Sequence, residues 1–307
     1  MESLFINARG LRFHVHAWGK PSQPVIVLIA GTAFVSATWT PIAEALSIDY
    51  RVYAIDRRGH GASDSPESAY EFFDFAEDLI AVMQTMNIRA ELAVGHSAGA
   101  TDVLLAASLQ PDLFNTIFVH EPTVADPKQQ DVQPEFPDVS KQYMQSIAKR
   151  RNRLPSRADA IEHFRHREPY VRWPESTLLA QWKSGLRDSK NGGVELSCRP
   201  EAELQIIEPI LHAASNIYRA DHRGDPFSFF KHIKQPVALV LSAKSEPFFA
   251  IMNKRAQKLL PNIVLDLTLK ETRHCAPQEN AQGFIAGIRL FTEQLAKGMP
   301  AQTVELT

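Results

Sequence analysis

Cysteine is scarce. The chain of 307 residues holds only two, Cys198 and Cys275. A pair makes no disulfide framework and, by itself, no zinc site. Both are expected to be reduced thiols of a cytoplasmic protein. An excess of one charge is lacking too: 33 Lys and Arg against 35 Asp and Glu leave a formal net charge of −2. That balance carries no electrostatic footprint for nucleic acid. The densest basic run, Lys149-Arg150-Arg151 followed by Arg153 and Arg157, reads as a solvated helix face. The longest strongly apolar run, Val25 to Ala30, is far too short to span a bilayer, so no membrane association is expected. Residues Met1 to Asn7 have neither the basic start nor the apolar stretch of a signal peptide. The last residues, Val304-Glu305-Leu306-Thr307, match no retention or peroxisomal signal. No internal repeat and no low-complexity tract appears.

What is present is an alternation of strands and helices. The composition, 44% hydrophobic and 22% charged, is that of a globular domain, and the length suits one large domain or one carrying an insertion. Leu11 to Trp18 alternates as a strand. Val25 to Ile29 and Val52 to Ile55 are continuous and β-branched, as strands buried on both faces must be. Phe72 to Met86 has a helical period, Ala98 to Leu109 is a small-residue buried helix, and Leu92–Val94 and Thr116–Val119 are further strands. The pattern predicts a mostly parallel sheet with helices on both faces, an α/β class. It stops at Pro122 and resumes at the Val237–Leu241 strand, followed by a helix (Met252 to Leu260), a strand (Ile263 to Leu269) and a helix (Phe284 to Leu295). The block between is polar, proline-dotted and helical in period, without a convincing strand. The expected division is therefore a core of residues 1–121 and 235–307 and a helical cap of residues 122–234.

The chemistry centres on Gly95-His96-Ser97-Ala98-Gly99. A Gly-x-Ser-x-Gly alone is a weak signal, but here it follows a strand and opens a small-residue helix, the context of a nucleophile elbow. The flanking glycines let strand and helix approach without Cβ clashes, and the serine oxygen stands clear at the helix N-terminus. The Ala98 amide there is free to hold an oxyanion. A second amide is expected from Thr32, in the Ala30-Gly31-Thr32-Ala33 loop after the Val25–Ile29 strand. Of eleven histidines, His274 is the best placed as the base: it follows the last core strand, and no other comes after His232. Two carboxylates sit at strand ends where they could face it, Glu246 after Val237–Leu241 and Glu121 after Thr116–Val119.

With these residues in hand, the chain resembles the α/β-hydrolase superfamily over nearly its whole length. The resemblance rests on Asp56-Arg57-Arg58-Gly59-His60-Gly61-Ala62-Ser63-Asp64, on Gly95 to Gly99 and on the His274 segment. It implies an eight-stranded sheet with an inserted helical cap, and a structural rather than catalytic role for Asp56 and His60. The oxyanion loop has Ala30-Gly31 where the family usually has His-Gly, a change the backbone amide tolerates. In most relatives the acid follows the strand after the cap, which favours Glu246, although Ser242 to Glu246 carries Ser for Gly and Glu for Asp. Other relatives, including zearalenone lactonases, place a glutamate after the preceding strand, in a setting similar to His120-Glu121.

The reading is a serine hydrolase that cleaves a small apolar ester or lactone through a Ser-His-Glu triad and an acyl-enzyme, with no metal or organic cofactor. Cap aromatics, among them Phe164, Tyr170, Trp173 and Trp182, are candidates to line the pocket. A hydrolase of carbon–carbon bonds, an acyltransferase, a perhydrolase and a non-catalytic binding protein on the same fold stay open as alternatives. Serine at position 97 argues against epoxide hydrolases and haloalkane dehalogenases, which use aspartate.

Overall fold

A computed structural model describes residues 1–126, 136–214 and 224–307. Its centre is a nine-stranded sheet. The first six strands are β1 (Glu2–Ala8), β2 (Leu11–Trp18), β3 (Val25–Ile29), β4 (Arg51–Ile55), β5 (Ala90–His96) and β6 (Phe114–His120). They are joined by helices α1 (Thr40–Leu46), α2 (Phe72–Thr85) and α3 (Ala98–Leu109). After the intervening block come β10 (Val237–Ser242), α8 (Pro247–Leu259), β11 (Ile263–Leu269), α9 (Ala276–Glu279), α10 (Ala281–Ala296) and β12 (Gln302–Leu306). The strand order is β1-β2-β4-β3-β5-β6-β10-β11-β12. Only β2 pairs antiparallel, with β1 on one side and β4 on the other; every other pairing is parallel.

The central strands are buried on both faces, and side-chain parity sorts them into two cores. Val27, Ile29, Ala93, Ile117, Val119, Val237 and Leu239 face α2, α3 and α8. Ile26, Leu28, Val94, Phe118, Ala238 and Val240 face α1 and α10. Helix α3 is buried along nearly its whole length, which explains its uniformly small and apolar sequence. A capping box opens α2: the Glu71 side chain accepts from the third helical amide, and Asp74 accepts from the Glu71 amide at 3.0 Å.

The nine strands exceed the expected eight, and the two unread ones are the sheet edges. Strand β1 leaves most of its residues exposed or half-buried, and so does β12. Neither therefore shows the apolar run of a central strand. The β1–β2 hairpin turns through Arg9 and Gly10, both at positive φ (48° and 74°), as a two-residue loop of the primed kind requires.

Among the described residues, the chain between β6 and β10 adds no strand to the main sheet. Its described part holds helices α4 (Phe136–Ala148), α5 (Arg157–Arg165), α6 (Glu175–Ser184) and α7 (Pro200–Ala214). It departs from the all-helical expectation in three short strands, β7 (Arg153–Leu154), β8 (Leu186–Asp188) and β9 (Val194–Leu196), which form an antiparallel sheet of their own. Elements of two or three residues are too short to display a period. Residues 127–135 and 215–223 of the expected helical block lie outside the described residues. Leu178, Trp182 and Phe164 from this block join the core cluster that also contains α1 and α10 side chains.

Candidate active site

Strand β5 ends at His96, and the chain turns at once into α3. Ser97, at the turn, has φ 56° and ψ −125°, a conformation costly for any residue with a Cβ. The glycines make the turn possible. A Cβ at Gly95 would lie 2.4 Å from the Ala100 Cα, and one at Gly99 would lie 2.5 Å from the Ile29 and Ala30 carbonyl oxygens. The Ser97 amide donates to the His120 carbonyl at 2.9 Å, tying the elbow to the end of β6. Ala98 is the first helical residue of α3, so its amide has no acceptor within the helix.

His274 reaches the serine from the loop after β11. Its Nε2 is 2.9 Å from Ser97 Oγ, and its Nδ1 is 2.6 Å from Glu121 Oε2. The Glu121 side chain is fully buried at 0% exposure, while that of His274 keeps 19%, facing the cavity. Glu121 follows β6 directly and, like Ser97, has positive φ, 45°. Its other oxygen accepts the Ser242 amide at 2.8 Å. Burial raises the Glu121 carboxyl above its ordinary value, opposed by the neighbouring His120 and by that amide. Burial also pushes the His274 imidazole down to about 3, which keeps it neutral near pH 7.

Of the two carboxylates open to sequence reasoning, Glu121 therefore meets His274, and Glu246, the favoured one, does not. Glu246 occupies the N-cap of α8, held there by the turn into Pro247, and its side chain lines the cavity. The end of β10 supplies the Ser242 amide that holds the Glu121 carboxylate, rather than a carboxylate of its own. Ser242 Oγ also bonds His120 Nε2 at 2.9 Å.

Thr32 lies beside Ser97 in the wall of the cavity, and its loop is clamped from three sides. A Cβ at Gly31 would sit 2.9 Å from the Ser97 Cβ, so glycine is what allows this close approach. His60 donates from Nδ1 to the Arg58 carbonyl at 2.8 Å and accepts the Ala33 amide at Nε2, 3.0 Å. Gln181, on α6, brackets the loop with both ends of its amide: Nε2 donates to the Ala33 carbonyl at 3.0 Å, and Oε1 accepts the Val35 amide at 3.2 Å. Arg57, paired with Asp102 at 2.6 Å, reaches the Thr32 hydroxyl at 3.5 Å.

Several of these groups escape sequence reasoning. His96 donates from Nε2 to the His274 carbonyl at 2.7 Å, and the Phe249 ring stacks on the His274 ring at 3.7 Å. Nothing in the local sequence distinguishes Gln181 from any other helical glutamine. We expect Gln181→Leu, which keeps the volume and removes both loop bonds, to lower kcat about tenfold with little change in KM. Unchanged kcat in steady-state kinetics of the folded variant would mean that turnover does not depend on the two bonds from Gln181 to this loop.

The cavity measures about 1100 Å³. Tyr170, Trp182 and Phe164 are in its wall. Trp173 is not: it packs behind the wall, its ring 5.2 Å from Phe34 and 5.0 Å from Tyr170.

The buried imidazoles make stability depend on pH. Burial holds His60, His120 and His274 down at about 3 and His16 at about 4, and places His96 well below its ordinary value. Such groups bind fewer protons folded than unfolded. Their contribution is therefore complete above the ordinary imidazole value of about 6.5 and is lost as pH falls below it. Asp102, raised by burial to about 6, takes up a proton in the folded state and offsets one of them. Urea unfolding should thus show stability falling by more than about 2 kcal/mol from about pH 7.5 to about pH 5.5. A flat profile would mean that these imidazoles are charged in the folded protein.

Comparison with known proteins agrees with this architecture. A family model described as alpha/beta hydrolase fold matches residues 24–281. The chain is 37% identical over 98 residues to the 2-(acetamidomethylene)succinate hydrolase of Mesorhizobium japonicum, across 32% of this chain and 35% of that protein. It is 34% identical over 116 residues to an epoxide hydrolase of Caballeronia sordidicola, across 37% and 35% of the two chains. The chain thus spans about a third of the length of these curated relatives. Among solved structures it is similar to E-2-(acetamidomethylene)succinate hydrolase, with a TM-score of 0.76 and 21% identity, covering 95% of this chain and 99% of that one. The fold, the elbow and the family match over most of its length agree: this chain belongs to the alpha/beta hydrolase family.

Proposed function

We propose that this hydrolase cleaves a carboxylic ester or lactone through Ser97, His274 and Glu121. The observation that carries the reading is the unbroken hydrogen-bonded line from Ser97 Oγ through both nitrogens of His274 to Glu121, at 2.9 and 2.6 Å. Ser97 Oγ attacks the carbonyl carbon while its proton passes to His274 Nε2. Glu121 accepts from Nδ1–H, fixes that tautomer and stabilises the imidazolium. The amides of Ala98 and Thr32 hold the oxyanion. The tetrahedral species collapses to an acyl-Ser97 ester as the proton on His274 goes to the leaving oxygen. His274 then deprotonates a water that attacks the acyl carbon, and it returns that proton to Ser97 Oγ as the C–Oγ bond breaks and the acid leaves. Serine at position 97 separates this chemistry from that of the epoxide hydrolase relatives, for which an aspartate nucleophile is expected.

In this reading residues 122–234 act as a cap that selects the substrate. Phe164, Tyr170 and Trp182 supply an apolar wall for it. The two buried free thiols, Cys198 and Cys275, suit the reducing conditions of the cytoplasm. The test is a fluorophosphonate probe, which should label Ser97, followed by turnover of esters and lactones of graded size. Labelling at another residue, or a labelled Ser97 with no turnover of any ester or lactone, would defeat the assignment.

A further inference from the structure

The basic run Lys149-Arg150-Arg151 does not lie on a helix face: it forms the turn after α4, with Lys149 and Arg151 exposed and Arg150 half-buried. All three residues line the catalytic cavity, together with Arg167, Arg172 and Arg273. Three carboxylates share the lining, Glu168, Glu203 and Glu246. Glu203 is consumed by Arg150 and Glu168 by Arg172, which also pairs with Glu279 at 3.0 Å. Among the described residues, Lys149, Arg151, Arg167 and Arg273 have no acidic partner, against the single unpaired carboxylate of Glu246. A chain of net charge −2 thus concentrates positive charge around the one cavity that contains Ser97 and His274. Low-dielectric walls focus such a field on whatever enters.

Two of these cations follow helix ends and line the same cavity. Arg151 follows the C-terminus of α4, and Arg167 follows that of α5 and donates to the His163 carbonyl. The His163 ring, also in the lining, is held below its ordinary value by burial and then by Arg167 and Arg151. Helix C-termini favour cations, which accounts for basic residues there. It does not account for two helix ends and the loop before His274 all bringing them to one cavity.

We propose that Arg151 and Arg167 form a carboxylate-recognition site in the outer part of the catalytic cavity, and that the ester or lactone cleaved carries an anionic group beyond its apolar body. The chemistry rests on the Ser97 reading; the binding of the anion does not. Planar guanidinium groups are suited to a carboxylate, which they can hold through paired N–H donors. Lys149 and Arg273 add to the field that draws the anion in.

The test compares two p-nitrophenyl esters of equal chain length, the hexanoate and the hydrogen adipate, which adds a terminal carboxylate. At low ionic strength kcat/KM should favour the adipate by about tenfold, mainly through KM, and the preference should shrink in high salt. The Arg151→Gln/Arg167→Gln double variant should lose the preference. A Lys20→Gln/Lys297→Gln variant, which removes the same charge elsewhere, should keep it. Calorimetry with adipate, and with adipamide as its neutral counterpart, reads the site without turnover. Adipate should bind the wild-type protein about tenfold more tightly than the double variant, and adipamide should not discriminate. Equal use of the two esters, a preference that survives in the double variant, or no difference in adipate binding would overturn the proposal. Failure of fluorophosphonate to label Ser97 while adipate still binds would instead defeat the hydrolase reading and leave the anion site standing.

Discussion

Alanine at position 97 is expected to lower kcat for any ester substrate by at least about a thousandfold while the protein stays folded. The substitution removes one oxygen atom, the one 2.9 Å from His274 Nε2, and leaves the elbow as it is. The turn depends on Gly95 and Gly99, whose close contacts with Ala100 and with the end of β3 are untouched. An unfolding midpoint near that of the wild type, with fluorophosphonate labelling abolished, is the anticipated outcome. Wild-type turnover from a folded Ser97→Ala protein would sink the assignment of the nucleophile.

The second large effect is expected at Glu121. Glu121→Gln should lower kcat by about a thousandfold or more, whereas Glu246→Gln should change it by less than about threefold. The glutamine keeps the shape and retains an oxygen for the Ser242 amide, which Glu121 accepts at 2.8 Å. Its NH2 group then faces His274 Nδ1 and makes that nitrogen the acceptor. The ring proton moves to Nε2, where it points at Ser97 Oγ, and the imidazole can no longer take the serine proton. A single amide at position 121 thus inverts the tautomer without disturbing the fold. Steady-state kinetics of the two variants decide the matter, and the opposite ranking would hand the role to Glu246.

Where sequence reasoning reached and where it stopped follows from the range of each constraint. The buried strands β3, β4, β5, β6 and β10 were readable because a strand covered on both faces needs a continuous apolar run. The edge strands β1 and β12 are half exposed and carry no such run. The elbow was readable because its constraint is local: the glycines, the serine and the helix that follows lie within one short stretch. The acid was not, because β6 and β10 are adjacent parallel strands that both end in a glutamate-bearing loop at the same edge of the sheet. What separates them is the few residues after each strand. Glu121 comes immediately after β6, whereas Glu246 is delayed until the first turn of α8. Trp173 could not be told from its neighbour Tyr170 for a similar reason: both lie in the same segment, and only the packing of Trp173 behind Phe34, which itself lines the cavity, decides which ring faces it.

Strand order also sets an order in time. Ser97 and Glu121 flank neighbouring strands β5 and β6, joined by the bond from the Ser97 amide to the His120 carbonyl. Their base arrives only after the whole intervening block, β10 and β11 have been made. A nascent chain synthesised only as far as β10 therefore carries Ser97 and Glu121 but not yet His274. In the proposed mechanism hydrolytic competence therefore waits for β11, because the loop after that strand carries His274. On the proposed roles, activity returns during refolding only when the elbow and the C-terminal strands that carry His274 are both in place.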